Sequence, residues 1–174
     1  FSIIYLILRK FGYLKDKVTV EHYHDLGKLI YGFNVFWAYI AFSQYFLIWY
    51  ANLPEETEYF IHHFYGSWNG VGLFLSIGHF LIPFILFMSR HAKRNLKFHF
   101  IMAIWILFTH LVDIYWLIMP TIHKKGLSIS ITDFVCFLTI GGFFLGAFFN
   151  QLSKQSLLPN KDPRIDESLK LDNY

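Results

Sequence analysis

Long runs carrying at most one formal charge constrain this chain more than anything else in it. Four follow one another: Leu29 to Ala51, Trp68 to Ser89, Phe98 to Met119 and Leu127 to Asn150. Each exceeds the roughly 20 residues that, at about 1.5 Å per residue, cross about 30 Å of hydrocarbon. A soluble helix of that length shows one apolar stripe and a charged opposite face. These runs are apolar all round. The 16% of residues that are charged fall short of the roughly 25% usual in soluble domains, and they are gathered between the runs.

The pattern predicts an all-α integral membrane protein, an antiparallel bundle of four complete transmembrane helices. Phe1 to Leu8 is apolar but far too short to span, and it stops at Arg9 and Lys10. A signal peptide carries its positive charge first, so this stretch is read as the end of a preceding helix. The expected organisation is therefore 1–28, the end of that helix and a loop; 29–152, the four-helix bundle; and 153–174, a polar tail with Pro159 and Pro163, expected to be extended. Cys136, the single cysteine, is expected to be a small buried apolar residue.

Thirteen of the fifteen lysines and arginines fall on one side of this topology: Arg9, Lys10, Lys15, Lys17 and Lys28, then Arg90, Lys93, Arg94 and Lys97, then Lys154, Lys161, Arg164 and Lys170. The other side has Lys124 and Lys125. Positive charge in short loops marks the cytoplasmic side, so the C-terminus is expected there. The net charge of +3 is a topology signal and not a nucleic-acid footprint. The loop from Asn52 to Gly66 faces outward with Glu55, Glu56 and Glu58. Trp49, Tyr50, Tyr59, Tyr65, Trp68, Tyr115 and Trp116 map to the outer ends of the spans, as an aromatic belt does.

Ionisable side chains inside a span cost roughly 2.5–3.5 kcal/mol on insertion scales and are functional candidates by default. Away from the span ends these are His79, His110, Asp113 and Asp133. Counting from the outer ends places His79 at roughly 16 Å depth, His110 at roughly 14 Å, and Asp113 and Asp133 at roughly 9 Å. His110 and Asp113, three apart, share a helix face. An imidazole beside a carboxylate suits a proton relay. Asp133 has an alternative role as a cap in Ser130-Ile131-Thr132-Asp133. His79 and His110, at similar depth on adjacent helices, are also placed as two axial ligands of a b-type haem. A third reading is a non-redox transporter or scaffold, with these groups merely bonding helices together.

Asn34, Ser43 and Gln44 are expected to bond across helices, with Ser43 and Gln44 also candidates to orient a quinone head group. Pro83 is expected to kink its helix, and Gly142 and Gly146 to make a close helix contact. His62 and His63 are expected to be exposed. His22 and His24 are either exposed or mark a proton intake. No metal site is expected.

The run from Phe36-Trp37-Ala38-Tyr39 through Ser43-Gln44 to Leu53-Pro54-Glu55-Glu56 resembles the ActF-type, NrfD-like membrane subunit of bacterial alternative complex III. So do Gly78-His79-Phe80-Leu81-Ile82-Pro83-Phe84, the basic loop Ser89 to Asn95, His110-Leu111-Val112-Asp113 through Pro120, and Asp162-Pro163-Arg164 through Leu169. The resemblance covers most of the chain from about Leu26. It implies a multi-pass subunit of a quinol:electron-acceptor oxidoreductase in the bacterial inner membrane. The implied partners are a second NrfD-like subunit, an iron–sulfur subunit and cytochrome c subunits, with cytochrome c or a terminal oxidase as acceptor. Haems and iron–sulfur clusters would sit on those partners, with none bound by this chain and quinone as its candidate ligand. Proton conduction would involve His79, His110, Asp113 and Asp133, and Glu55 and Glu56 would help to dock a peripheral subunit. Proteins of this family have more helices than the four read here, so an N-terminal bundle is expected in addition.

Overall fold

The computed structural model describes all residues except 16, 125, 159–161 and 171–174, and the side chain of Asp166. Lys125, Lys161 and Pro159, used above, lie outside the described residues. The described chain is helical, in the order α1 (Ser2–Lys10), α2 (Val20–Ala51), α3 (Pro54–His63), α4 (Ser67–Phe74), a π-helical segment (Leu75–Leu81), α5 (Ile82–Met88), α6 (Arg90–Arg94), α7 (Leu96–Ile122), α8 (Ile131–Ser153) and α9 (Ile165–Leu169). Three helices are long and apolar enough to cross a membrane: the continuous rod Ser67–Met88, α7 and α8. The chain is thus a helical protein of membrane character.

The element boundaries follow local chemistry. α2 begins nine residues before the expected Leu29, because Thr19 and His22 bond at its start, the Thr19 N–H donating to His22 Nδ1 over 3.1 Å. Such a bond satisfies one of the donors that every helix leaves open at its N-terminus. The stretch expected as an outward loop is instead largely helical. Pro54 opens α3 at a position where a missing N–H costs nothing, and Glu55 and Glu56 occupy its first turn, facing the positive end of the helix dipole. Asn95 caps α7, its side chain accepting from the Lys97 and Phe98 N–H groups. α8 starts at Ile131, later than the expected Leu127. The tail is not wholly extended, since α9 forms a short helix in it.

The proline in the second rod acts over a longer range than a local kink. Pro83 has no N–H to offer the carbonyl of His79. Over Leu75–Leu81 the backbone takes the wider π pattern, with the Ile82 N–H reaching Ile77 O. Two side chains from neighbouring helices donate to carbonyls of this segment. Trp105 Nε1 of α7 donates to Gly78 O at 2.8 Å, and Asn34 Nδ2 of α2 donates to Phe80 O at 3.1 Å. Irregular backbone at membrane depth persists where such partners are supplied. The interhelical bond expected of Asn34 is therefore made, and to a main-chain group.

The chain divides into two compact units, 1–127 and 128–170. In the first, α7 packs against α1, α3, α4, the π segment, α6 and α2, while α2 packs along the π segment, α5 and α6. Its interior is rich in polar groups. His24, Asn34, His63, His79, His99, Thr109 and Asp113 are buried beside Tyr23, Leu75, Phe87 and Met102. Phe33, Leu47, Ile85, Ile101, Leu107 and Ile118 point outward. A soluble protein has the reverse arrangement, whereas lipid favours apolar groups outside and satisfied polar groups within.

The N-terminus of α4 is held by the chain beyond α7. Trp68, expected in the outer aromatic belt, is buried, its indole donating to His123 O at 3.0 Å, and Trp116 donates to Trp68 O at 3.3 Å. The Leu127 N–H donates to Ser67 Oγ at 2.7 Å. Gly126 has φ +133°, and a Cβ there would stand 2.7 Å from Ser67 Oγ, so this turn needs glycine.

In the second unit α8 has no buried residue. Cys136 is therefore exposed, not buried as expected. A Cβ at Gly142 or Gly146 would meet nothing within 4 Å.

Candidate functional site

Three of the four ionisable residues expected at depth converge in the first unit. The π segment carries His79, and α7 carries His110 and Asp113 one turn apart. The His79 and His110 rings stand 6.0 Å apart between centroids, 36° from parallel. His110 Nδ1 lies 3.8 Å from Asp113 Oδ2. His79 is 3% exposed and Asp113 5%, while the His110 side chain is 53% exposed. One end of the group is thus sealed and the other open to the surface of the bundle. His79 Nδ1 is buried without a hydrogen-bond partner among the described residues.

The fourth member is a residue the sequence reading treated as part of an apolar run. Trp37 of α2 donates its indole N–H to Asp113 Oδ2 at 2.8 Å, and its ring packs on His79 with centroids 4.1 Å apart and planes tilted by 55°. Trp37 and His110 thus each contact both His79 and Asp113. An indole has a large apolar body and a single donor. It can therefore line a buried site and orient a carboxylate at once. Only the depth of Asp113 in the sequence hinted that a donor from a neighbouring helix would be needed.

Toward α3 the group continues into a second cluster that sequence reasoning missed. His63, expected to be exposed, is fully buried. Its ring stacks on Tyr59 at 3.8 Å and meets Trp116 edge-on at 4.8 Å. Nδ1 lies 2.6 Å from Tyr59 O and Nε2 lies 3.4 Å from Leu117 O, which fixes α3 to α7. Burial, and after it the charge of Asp113, raises the Tyr59 phenol above its ordinary range, so α3 lies within the field of the buried carboxylate. His62 instead pairs with Glu58 at 3.2 Å on the half-exposed face.

Asp133 belongs to the second unit and takes the capping arrangement. It is the third residue of α8, its Oδ2 accepting the Ser130 N–H at 2.9 Å, while Ser130 Oγ accepts from Thr132 N–H at 3.3 Å. The depth expected from a helix starting at Leu127 is corrected accordingly. Ser43 is half-buried and Gln44 exposed on α2, and neither lines the aromatic cleft between α2 and α3 formed by Tyr45, Ile48, Trp49, Thr57, Phe60, Ile61 and Phe64. Glu55 and Glu56 are exposed. Among the described residues, no three His, Cys, Asp or Glu side chains converge closely enough to hold a metal ion.

At the basic end of the unit, His24 and His99 are also buried. His99 lies edge-on to Tyr23 and Phe87, with centroids 6.1 and 5.8 Å away. Arg94 pairs with Glu21 at 2.8 Å.

No family model matches the chain, and no curated protein matches it.

Proposed function

We propose that this chain is a membrane subunit of a respiratory quinol:electron-acceptor oxidoreductase of the alternative complex III type, and that His79, His110 and Asp113, with Trp37, carry protons within the membrane. The observation that supports it most is the convergence of two histidines and an aspartate, from two rods, into one group that is buried at His79 and Asp113 and open at His110. Groups so costly to bury are retained where they do chemistry. In this reading α2 is a fourth span, the basic side and the C-terminus face the cytoplasm, and the membrane is the bacterial inner membrane.

Asp113 would hold and receive the proton, and Trp37 would fix the carboxylate oxygen toward His110. His110, at the open edge, would exchange protons with the surroundings, and a small rotation or one bridging water would close the 3.8 Å gap to Asp113. Asp133 would serve as an outlying proton site, Ser43 and Gln44 would face a quinone supplied between subunits, and Glu55 and Glu56 would help to dock a peripheral subunit. Iron–sulfur clusters and c-type haems would belong to the partner subunits.

The facing rings of His79 and His110 also suit a second reading, a b-type haem held between them. The indole packed 4.1 Å from His79 and the carboxylate beside His110 weigh against it. A reduced-minus-oxidised spectrum of the native complex in mild detergent, with its subunits identified, separates the two. The proposal expects a c-type spectrum with iron–sulfur and cytochrome partners. A b-type signal lost in His79→Ala or His110→Ala contradicts it, and a preparation without any redox centre leaves a transporter or scaffold.

A further inference from the structure

His63 of α3 is sealed from solvent, 0% exposed, and the proton group described above does not use it. Both of its ring nitrogens face main-chain carbonyls. Nδ1 stands 2.6 Å from Tyr59 O in its own helix, and Nε2 stands 3.4 Å from Leu117 O of α7. A carbonyl oxygen only accepts hydrogen bonds. A neutral imidazole has one N–H donor and one lone pair, whereas the charged ring donates from both nitrogens. The neutral ring therefore sets a lone pair against one of the two carbonyls, with no solvent to relieve it. The imidazolium satisfies both contacts at once.

Burying a charge is costly unless the surroundings compensate it. Here three features do. The two carbonyls turn the negative ends of their dipoles toward the ring. Tyr59 lays its face on the imidazole, with centroids 3.8 Å and planes 30° apart, and an aromatic face attracts a cation. The third is the carboxylate of Asp113, which lies one turn before Leu117 on the same face of α7. Its charge reaches the stacked Tyr59, where it is the second cause, after burial, that raises the phenol. Of the other ionisable groups on α3, His62 and Glu58 pair with each other at 3.2 Å on the outer face of the helix. Trp116 closes the remaining side of His63 edge-on at 4.8 Å.

We propose that His63 is a further proton-holding site of the first unit, an imidazolium that donates to Tyr59 O and Leu117 O together, docks α3 on α7 and has Asp113 as its counter-charge. Its role in the complex rests on the proton-carrying reading above. The proton enters and leaves at Nε2, where the contact is the longer, and Nδ1–H stays on Tyr59 O. Loss of that proton turns the imidazolium into a neutral ring, sets a lone pair at Leu117 O and ends the bond between α3 and α7. Protonation of Asp113 and of His63 then oppose each other, because a proton on the carboxylate removes the counter-charge of the ring. A proton arriving at Asp113 favours release of one from His63, on the α3 side of the group.

The charge is read from the ring nitrogens by NMR of the full chain in detergent at neutral pH, with isotope-labelled histidine. His63 is identified by the signals lost in His63→Gln. Should that variant not fold, through-bond correlation of the ring with its own backbone identifies it in the wild type. An imidazolium gives two ring-nitrogen signals close together, and a neutral ring gives two far apart. The proposal expects the first pattern, and a neutral His63 overturns it. Asp113→Asn removes the counter-charge and is expected to lower the charged fraction of His63 by about twofold or more. An unchanged fraction in the folded variant overturns the coupling. The wild-type spectrum decides the charge whether or not either variant folds. Ring charge is read without quinol chemistry. A charged, Asp113-dependent His63 in a chain that supports no redox complex therefore contradicts only the redox reading, and a neutral His63 in a working complex contradicts only this one.

Discussion

Trp37 shows what a single side chain contributes to this fold. Its N–H donates to a carboxylate 5% exposed, and a hydrogen bond to a charged group is worth about 1.5–3 kcal/mol. Trp37→Phe keeps an aromatic ring beside His79 and removes the donor together with part of the indole's bulk. It is expected to lower unfolding stability in detergent by about 2 kcal/mol, whereas Tyr39→Phe, on the exposed face of the same helix, leaves it unchanged. His24 gives a pH signature. Burial first, then Lys28 and Arg94, hold its folded pKa below the unfolded value, so folding favours the neutral ring. Stability from this residue is complete above pH of about 6.5 and is lost as pH falls below that value toward the depressed one. His24→Gln should flatten that part of the stability profile in lipid-free detergent, and a profile identical to wild type would contradict the assignment. The sequence shows His79, His110 and Asp113 plainly, because ionisable groups stand out in apolar runs. Trp37, His63, His24 and His99 were not legible as buried partners. Whether an indole or a loop histidine is buried depends on which helix packs over it, and spacing along one helix does not contain that.

At the scale of elements, the π segment is the feature the sequence half-revealed. Pro83 marks where α-helical bonding must fail, but the length of the failure depends on what accepts the strain. Trp105 and Asn34 donate to carbonyls of the segment, and His79 reaches the cluster from within it. Trp105→Phe leaves the Gly78 carbonyl without its donor and is expected to cost about 1–3 kcal/mol, with a measurable change in the environment of His79 by NMR. A stability equal to wild type would mean that the segment does not depend on that bond. The long apolar runs gave the rods, because length and composition alone define them. The helical character of 54–63 was misread as loop, since a polar, acidic stretch between two spans resembles one until Pro54, Glu55 and Glu56 are recognised as a helix start. α8 depends on its cap, and Ser130→Ala should cost about 1 kcal/mol and increase amide exchange in the first turn around Asp133.

At the largest scale, the arrangement to be explained is the apolar exterior around a polar interior in the first unit, and separately an apolar α8 with no buried residue in the second. Three helices have membrane-spanning length and composition, and the interior of the first unit gathers Asn34, His63, His79, Thr109 and Asp113. The orientation is testable with the single cysteine replaced. In a Cys136→Ser background, Ser156→Cys should react with a membrane-impermeant thiol reagent only after cells are opened, and Glu56→Cys should react in intact cells. The opposite pattern would invert the topology. The central claim, that the buried group moves protons for a quinol-oxidising complex, is most directly tested in the purified complex carrying Asp113→Asn, reconstituted into vesicles, with quinol oxidation and proton movement followed together. The proposal predicts an assembled complex with its redox centres in place and coupled proton movement reduced at least tenfold. Wild-type quinol oxidation with wild-type proton movement in that variant would contradict it.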